Sequence, residues 1–155
     1  MDFKDCIKYA NETRVCYLAT VDGDQPRVRI LGIWFAEETG FYFIINPNSK
    51  DMYRQLQANG KVEACFWQTG EAGAPKANKA PNVIISPVMR VAGEVEFLND
   101  LKLKKKALED RPILKKLGIT FDSPELRIFR IAKGEAYFWT RETIFEPKKF
   151  IKFGD

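Results

Sequence analysis

The chain has 155 residues, of which 45% are hydrophobic and 13% aromatic, and it carries a formal net charge of +4. This length predicts a single domain spanning residues 1–155, with enough apolar side chains for one core. No apolar run is long enough to cross a bilayer, and the charged N-terminus is unlike a signal peptide, so a cytoplasmic protein is expected. The lysine runs are interspersed with acidic residues, which is typical of solvated helix faces rather than of a nucleic-acid surface.

Histidine is absent, and the cysteines Cys6, Cys16 and Cys65 are odd in number and widely spaced. The missing imidazole excludes Ser-His-Asp and Cys-His catalysis and histidine metal ligation. The cysteine pattern predicts reduced thiols rather than disulfides or a zinc site, and no metal is expected. An enzyme of this composition working near neutral pH would therefore depend on a bound cofactor.

In chain order, the apolar periodicity predicts a helix over residues 2–12, a short helix after Ser49, and helices over 101–109 and 112–118. The predicted strands cover residues 14–21, 26–35, 41–45, 61–68, 83–85, 89–97, 126–131 and 135–140. Tight turns between consecutive strands indicate an antiparallel sheet that curls into a barrel or sandwich. The fold class is therefore mainly β with peripheral helices.

The sequence also allows expectations for three local segments. Gly93 is expected to form a bulge in its strand. Residues 69–82 are rich in Gly and Pro, which predicts a surface loop. The basic and aromatic tail, residues 146–153, has no predicted structure.

Two short motifs are candidates for binding an anion. Arg27 and Arg29 lie two residues apart on a predicted strand, so both side chains leave the same face. They would serve a phosphate well, although arginines paired with carboxylates on a neighbouring strand would give the same pattern. Ser49 and Lys50 begin a predicted helix, where free N–H groups favour an anion. An ordinary helix cap beside a solvated lysine is the alternative.

Trp139 is the aromatic residue best placed to face a planar ligand. It lies near the end of the last predicted strand, beside Tyr137 and Thr140. Trp34 and Trp67 are expected to pack in the core, as buried aromatic residues usually do.

The order and spacing of several segments resemble the pyridoxamine 5′-phosphate oxidase-like flavoproteins. These segments are A-T-V-D-G-D-Q-P-R-V-R-I-L-G (19–32), G-F-Y-F-I-I-N-P-N-S-K-D-M-Y-R-Q-L (40–56), K-V-E-A-C-F-W (61–67) and M-R-V-A-G-E-V-E-F (89–97). The resemblance implies an antiparallel, Greek-key type split β-barrel. It also implies a homodimer with flavin mononucleotide (FMN) at the subunit interface.

The resemblance also implies roles for particular positions. One family strand lines the isoalloxazine ring and reaches the phosphate, and it is matched by Arg27, Val28, Arg29 and Ile30. A second strand that contacts the flavin is matched by Phe43 and Ile44. The phosphate-binding S-[RK]-K element is matched by Ser49 and Lys50, and the aromatic residue that covers the flavin is matched by Trp139.

Departures from the family pattern limit the expected reaction. The vitamin-processing oxidases carry a lysine where this chain has Gly32, a glutamine near Val88, and a C-terminal R-L-H-x-R motif that a chain without histidine lacks. The chain looks more like the short branch that includes general-stress flavoproteins and nitroimidazole-resistance-type reductases. We expect an FMN-dependent oxidoreductase that reduces a small molecule with electrons from NAD(P)H, with no side chain assigned as its acid or base. The alternative is a non-catalytic protein that stores, senses or carries a flavin, a deazaflavin or haem.

Overall fold

The computed structural model of the protein describes residues 1–68 and 87–155. Its helices are α1 (Phe3–Thr13), α2 (Lys50–Ala58), α3 (Leu101–Asp110) and α4 (Pro112–Lys116). Its strands are β1 (Val15–Asp22), β2 (Gln25–Gly32), β3 (Phe35–Glu37), β4 (Gly40–Ile45), β5 (Lys61–Trp67), β6 (Val88–Leu98), β7 (Arg127–Trp139) and β8 (Ile151–Phe153).

These strands form one antiparallel sheet in the order β2-β1-β5-β6-β7-β4-β3, with β8 added beside β7. Neighbours in this order are often distant in sequence: β4 pairs with β7, and β1 pairs with β5. Such crossing connections produce a Greek-key sheet that curls around a core. The structure thus confirms the predicted fold class, mainly β with peripheral helices.

Two residues between β2 and β3 connect the two ends of the curled sheet. The backbone N–H of Ile33 donates to Arg14 at one end of the strand order, and the N–H of Trp34 donates to Tyr42 at the other. The predicted strand over residues 26–35 is therefore wrong as a single element. The chain changes partners after Gly32, and this change brings the two ends of the sheet together.

Strand β7 corrects a second prediction. Residues 126–131 and 135–140 were expected to form two strands, but they belong to one strand of 13 residues. The register with β6 shifts where Glu94 faces Lys133 and Val95 faces Ile131, which leaves Ala132 as an extra residue. The bulge was predicted at Gly93 of β6, but it lies at Ala132 of β7, opposite the Glu94–Val95 step. There it bends β7 without ending it.

Gly93 and Gly134 face each other across β6 and β7 for a steric reason. A Cβ atom on Gly134 would lie 2.0 Å from the carbonyl oxygen of Ala92, and one on Gly93 would lie 2.5 Å from that of Lys133. Gly134 therefore marks a close approach of two backbones rather than the strand break that its sequence position suggests.

Two apolar clusters fill the fold. The larger lies between the strands and α1 and includes Leu18, Phe41, Phe66 and Phe129, none of which has solvent-exposed surface. The smaller joins α3 and α4 to the sheet around Leu108 and other apolar residues. The helical insert is thus anchored by its own apolar contacts.

The remaining predictions agree with the structure to within one or two residues for α1, β1, β4 and β5, for the helix after Ser49, and for α3 and α4. The tail contains β8, which had no predicted structure. The predicted loop at 69–82 and the strand at 83–85 lie outside the described residues. In the described part of the chain, no helix has the length and apolar character needed to span a membrane.

The two edges of the sheet are treated differently. The side-chain amide of Asn11, on α1, accepts a hydrogen bond from Ala36 N–H at 2.8 Å and donates one to Ala36 C=O at 2.9 Å. These contacts imitate a further strand beside β3. Among the described strands, β2 pairs with β1 alone, so alternate backbone groups on its other edge lack a strand partner.

One phenol on α1 holds two distant points of the chain. The hydroxyl of Tyr9 donates to the carbonyl of Pro87 and accepts a 3.3 Å hydrogen bond from the backbone N–H of Gln68. Burial raises the pKa of Tyr9, so the phenol stays protonated and able to donate at neutral pH.

We expect Tyr9→Phe to lower the free energy of unfolding by about 1–3 kcal/mol, because both hydrogen bonds of the Tyr9 hydroxyl are lost. Chemical denaturation followed by fluorescence measures the change. Tyr17→Phe is the control, since Tyr17 is 41% exposed and no hydrogen bond within the described residues uses its hydroxyl. Equal stability of the Tyr9→Phe protein and the unchanged protein would contradict this role.

Candidate functional site

The two faces of β2 carry different chemistry. Arg27 and Arg29 stand opposite Thr20 and Leu18 of β1, which are 2% and 0% exposed, so the arginines lie on the inner side of the sheet. Val28 and Ile30 point outward and are 70% and 66% exposed. The strand thus presents cations on one face and apolar side chains on the other.

Arg29 is held by two neutral side chains. Its Nη1 donates to Thr20 Oγ1 at 2.6 Å, and its Nη2 donates to Gln55 Oε1 at 2.7 Å. The Thr20 hydroxyl in turn donates to Gln55 Oε1 at 2.7 Å. No carboxylate in residues 1–68 and 87–155 forms an ion pair with Arg29. A half-buried guanidinium is therefore fixed in place without being neutralised.

The electrostatic surroundings of Arg29 are mixed. Burial lowers the pKa of its guanidinium below the ordinary value, and the nearby charge of Arg27 lowers it further. Asp51, in the first turn of α2, acts in the opposite direction. Because arginine stays charged in proteins, Arg29 is a cation whose positive charge is only partly balanced by nearby negative charge.

Arg27 differs from Arg29 because a carboxylate is nearby. Its Nε lies 3.4 Å from Asp22, which also receives hydrogen bonds of 3.1 and 3.4 Å from Arg54 of α2. The hydrogen bond from Arg54 is the main cause that lowers the pKa of Asp22, and Arg27 adds to it. One carboxylate thus serves two arginines and joins β2 to α2.

The start of α2 has no side-chain cap. Ser49 occupies the N-cap position, but its hydroxyl makes no capping hydrogen bond. Lys50 is exposed and belongs to none of the ion pairs among the described residues. Among the described residues, the start of α2 therefore offers N–H groups without a side-chain partner and a partial positive charge, and Asp51 of its first turn is close enough to Arg29 to affect the pKa of that guanidinium.

A cavity of about 550 Å³ opens on the outer face of the sheet. It is lined by Val28 of β2 together with Tyr17, Cys65, Tyr137 and Trp139 from the neighbouring strands. Its size lies within the range of roughly 300–1,000 Å³ that small-molecule sites occupy. A smaller cavity of about 330 Å³ adjoins it and shares Tyr137 and Trp139.

Charged groups also reach the larger cavity. Glu63 Oε1 lies 2.5 Å from Arg90 Nε. The Arg90 guanidinium and the Lys148 ammonium lie 5.7 and 4.9 Å from the centre of the Tyr137 ring. The cavity therefore combines flat aromatic walls with two cations and one paired carboxylate.

The structure separates the predicted site residues into groups. Arg27 and Arg29 lie near α2, which begins at Ser49 and Lys50. Val28 and Trp139 line the outer cavity, and Ile30 lies on the same outer face. The side chains of Phe43 and Ile44 lie elsewhere. Phe43 is stacked on Phe129 in the core with ring centres 4.9 Å apart, and Ile44 packs on the cluster beneath α3 and α4.

Sequence reasoning missed Thr20 and Gln55, which hold Arg29. Gln55 is 4% exposed and occupies a core-facing position of α2 beside Met52 and Leu56. A polar residue within the apolar stripe of an amphipathic helix was the available signal. Thr20 gave a weaker signal, because threonine is common in strands.

The strand order and the two-residue connection between β2 and β3 define a split β-barrel. The chain matches the family model described as pyridoxamine 5′-phosphate oxidase over residues 3–140. It therefore belongs to this family.

Several solved structures are similar to this chain. A NimC/NimA family protein from Clostridium acetobutylicum has 27% identity and a TM-score of 0.70, with 97% of this chain and 92% of that chain covered. General Stress Protein 26 from Bacillus anthracis has 18% identity and a TM-score of 0.66, with 99% and 100% covered. The haem storage protein HutZ from Vibrio cholerae has 16% identity and a TM-score of 0.60, with 99% and 98% covered. A comparison with curated proteins found no match.

We expect the three thiols to differ in reactivity. Cys6 and Cys16 are 0% exposed, and burial raises their pKa values to about 11 and about 12. Burial also raises the pKa of Cys65, but this thiol reaches the outer cavity. Because the thiolate is the reactive form, alkylation should be slow at pH 7, should accelerate as the pH rises past the ordinary thiol pKa, and should modify Cys65 first. Mass spectrometry of timed iodoacetamide reactions gives the order, and faster modification of Cys6 or Cys16 would contradict it.

Proposed function

We propose that this protein binds FMN and acts in the cytoplasm as an oxidoreductase, reducing a small molecule with electrons from NAD(P)H. Members of its family commonly bind flavin. The observation that carries the proposal is the guanidinium of Arg29, held at 2.6 and 2.7 Å by neutral partners beside a second arginine. Such a cation is suited to a phosphate, which accepts paired N–H donors.

The cationic corner between β2 and α2, where Arg27 and Arg29 lie beside Arg54 of the helix, fits the phosphate of FMN. A phosphate monoester carries a charge of about −1.5 to −2 at pH 7 and offers several acceptor oxygens. Arg27 and Arg29 would bind it from β2, while Ser49, Lys50 and the free N–H groups of α2 would bind it from the helix. The alternative raised by the sequence, arginines paired only with carboxylates, describes Arg27 but not Arg29.

The outer cavity fits the isoalloxazine ring. Val28 alternates with Arg27 and Arg29 along one strand, so a ligand that joins the cavity to the cationic corner would cross the free edge of β2. The backbone groups of Val28 and Ile30 on this edge, which no described strand pairs with, can hydrogen-bond a flat heterocycle there, and Trp139 can cover it. We propose that Phe43 and Ile44 contribute through the backbone of β4, because their side chains are packed elsewhere.

The residues that line the cavity favour chemistry carried by the cofactor. Burial raises the pKa of Cys65, so this thiol stays protonated at neutral pH, and Glu63 is paired with Arg90. When bound, FMN would supply transfer of a hydride or of single electrons. The chain itself would orient the ring, exclude water and hold the substrate against the aromatic walls.

A second copy of the chain would complete the site. The outer face exposes Val15, Tyr17, Val28 and Ile30, with exposed fractions of 44%, 41%, 70% and 66%. An exposed apolar face next to a strand edge that no described strand pairs with favours association. We propose a homodimer that covers this face and places FMN at the subunit interface.

The departures from the family pattern argue against oxidation of pyridoxamine phosphate. Gly32 is exposed and provides no side chain where the vitamin-processing oxidases have lysine, and histidine is absent. The same missing substrate groups favour a second candidate function, which is binding of a flavin or related cofactor without turnover. Haem is the weaker choice of ligand, because histidine, a common axial ligand, is absent.

We expect Arg29→Gln to weaken FMN binding by about 10- to 100-fold, because a charged hydrogen bond to phosphate is lost. Arg111→Gln is the matched control, since Arg111 is exposed on the helical insert. Fluorescence titration of the apoprotein measures affinity, and protection of Cys65 from alkylation reports occupation of the outer cavity. An apoprotein that fails to bind FMN would refute the central proposal.

Turnover separates the two candidate functions. We expect NADH or NADPH to bleach the absorbance of the bound flavin anaerobically, and an added acceptor to restore it through repeated cycles. Stopped-flow absorbance measures both steps, with free FMN at the same concentration as control. A bound flavin that neither donor reduces faster than free FMN would favour the binding function.

A further inference from the structure

We propose that Gln55 is a positioning residue that selects ligands by charge, because it holds Arg29 in place while leaving its positive charge free for a phosphate. This inference rests on the proposed function. It gives α2 a second role, because the helix supplies the side chain that orients Arg29 in addition to the N–H groups at its start.

The contacts of Arg29 leave donors available. A guanidinium has five N–H donors, and Thr20 and Gln55 engage two of them, at Nη1 and Nη2. The anchoring side chains are 2% and 4% exposed, so neither can turn away into solvent. Arg29 therefore has a fixed orientation with donors left for a ligand.

Four other arginines of the sheet and of α2 are paired with carboxylates, whereas Arg127 of β7 donates to the carbonyl oxygen of Pro124. Arg27 and Arg54 share Asp22, Arg90 pairs with Glu63, and Arg130 pairs with Glu96. A carboxylate in place of the Gln55 amide would hold Arg29 equally well. It would also neutralise the charge, so the neutral amide is the feature that keeps Arg29 available to an anion.

The charges of the corner point to a dianion. Arg27, Arg29, Lys50 and Arg54 are opposed by the two carboxylates of Asp22 and Asp51, which leaves a net charge of +2 on β2, α2 and the end of β1. This charge matches that of a phosphate monoester at neutral pH. A glutamate at position 55 would reduce it by one unit.

Gln55→Glu tests the role of the neutral amide, because it keeps the shape of the side chain and changes its charge. We expect FMN affinity to fall by roughly 10- to 100-fold, because Arg29 is diverted into an internal ion pair. Affinity for riboflavin, which lacks the phosphate, should change by less than about twofold. Gln57→Glu is the matched control, since it adds the same charge to an exposed position of the same helix.

Thr20→Val provides a second variant in case the buried glutamate disturbs folding. It removes the other acceptor of Arg29 without adding charge, and FMN affinity should fall severalfold while riboflavin affinity is retained. Thr20→Ser restores a hydroxyl and should recover FMN affinity. Circular dichroism and denaturation curves establish that each variant is folded.

The outcomes distinguish the inference from the proposed function. If the unchanged protein binds FMN and Gln55→Glu binds it equally well, the role of Gln55 is refuted and the proposed function stands. Equal loss of FMN and riboflavin affinity would show a purely structural role and would also refute it. If the unchanged protein binds neither FMN nor riboflavin, the proposed function fails, and the inference fails with it.

Discussion

The arrangement of this molecule depends on the short connection in which Ile33 and Trp34 bond to opposite ends of the strand order. Because only two residues separate β2 from β3, the sheet must curl until its first and last strands meet. The curl encloses the large aromatic cluster and turns the inner face of β2 toward α2. Core packing and the placement of the cationic corner therefore follow from one covalent constraint.

The terminal strands β2 and β3 are joined by the chain but do not pair with each other, and within residues 1–68 and 87–155 only the outer edge of β3 has a hydrogen-bond partner. Asn11 supplies hydrogen bonds to β3 that a neighbouring strand would otherwise provide. No described element does the same for β2, which also carries the exposed Val28 and Ile30. Water satisfies the backbone groups of an exposed edge, but such an edge is also a ready template for pairing with another chain or a ligand, which favours a binding role for this strand.

The sequence predicted those features that depend on local periodicity and chain order. It placed most strands, the helical insert, and the alternation of Arg27 and Arg29 with outward-facing residues. It misplaced the boundaries that depend on distant partners: the change of partner after Gly32 and the continuity of β7 through Gly134. It also missed the support of Arg29 by Thr20 and Gln55, since those contacts join residues 9 and 26 positions apart.

The two-residue period of β2 limits how this region can vary in length. Deleting or inserting one residue between the turn at Gly23 and Gly32 would slip the register against β1. Val28 and Ile30 would then enter the barrel, and the guanidinium groups would point away from α2. Insertions or deletions of two residues keep each side chain of β2 on its original face of the sheet. Length variation within this strand should therefore occur in steps of two.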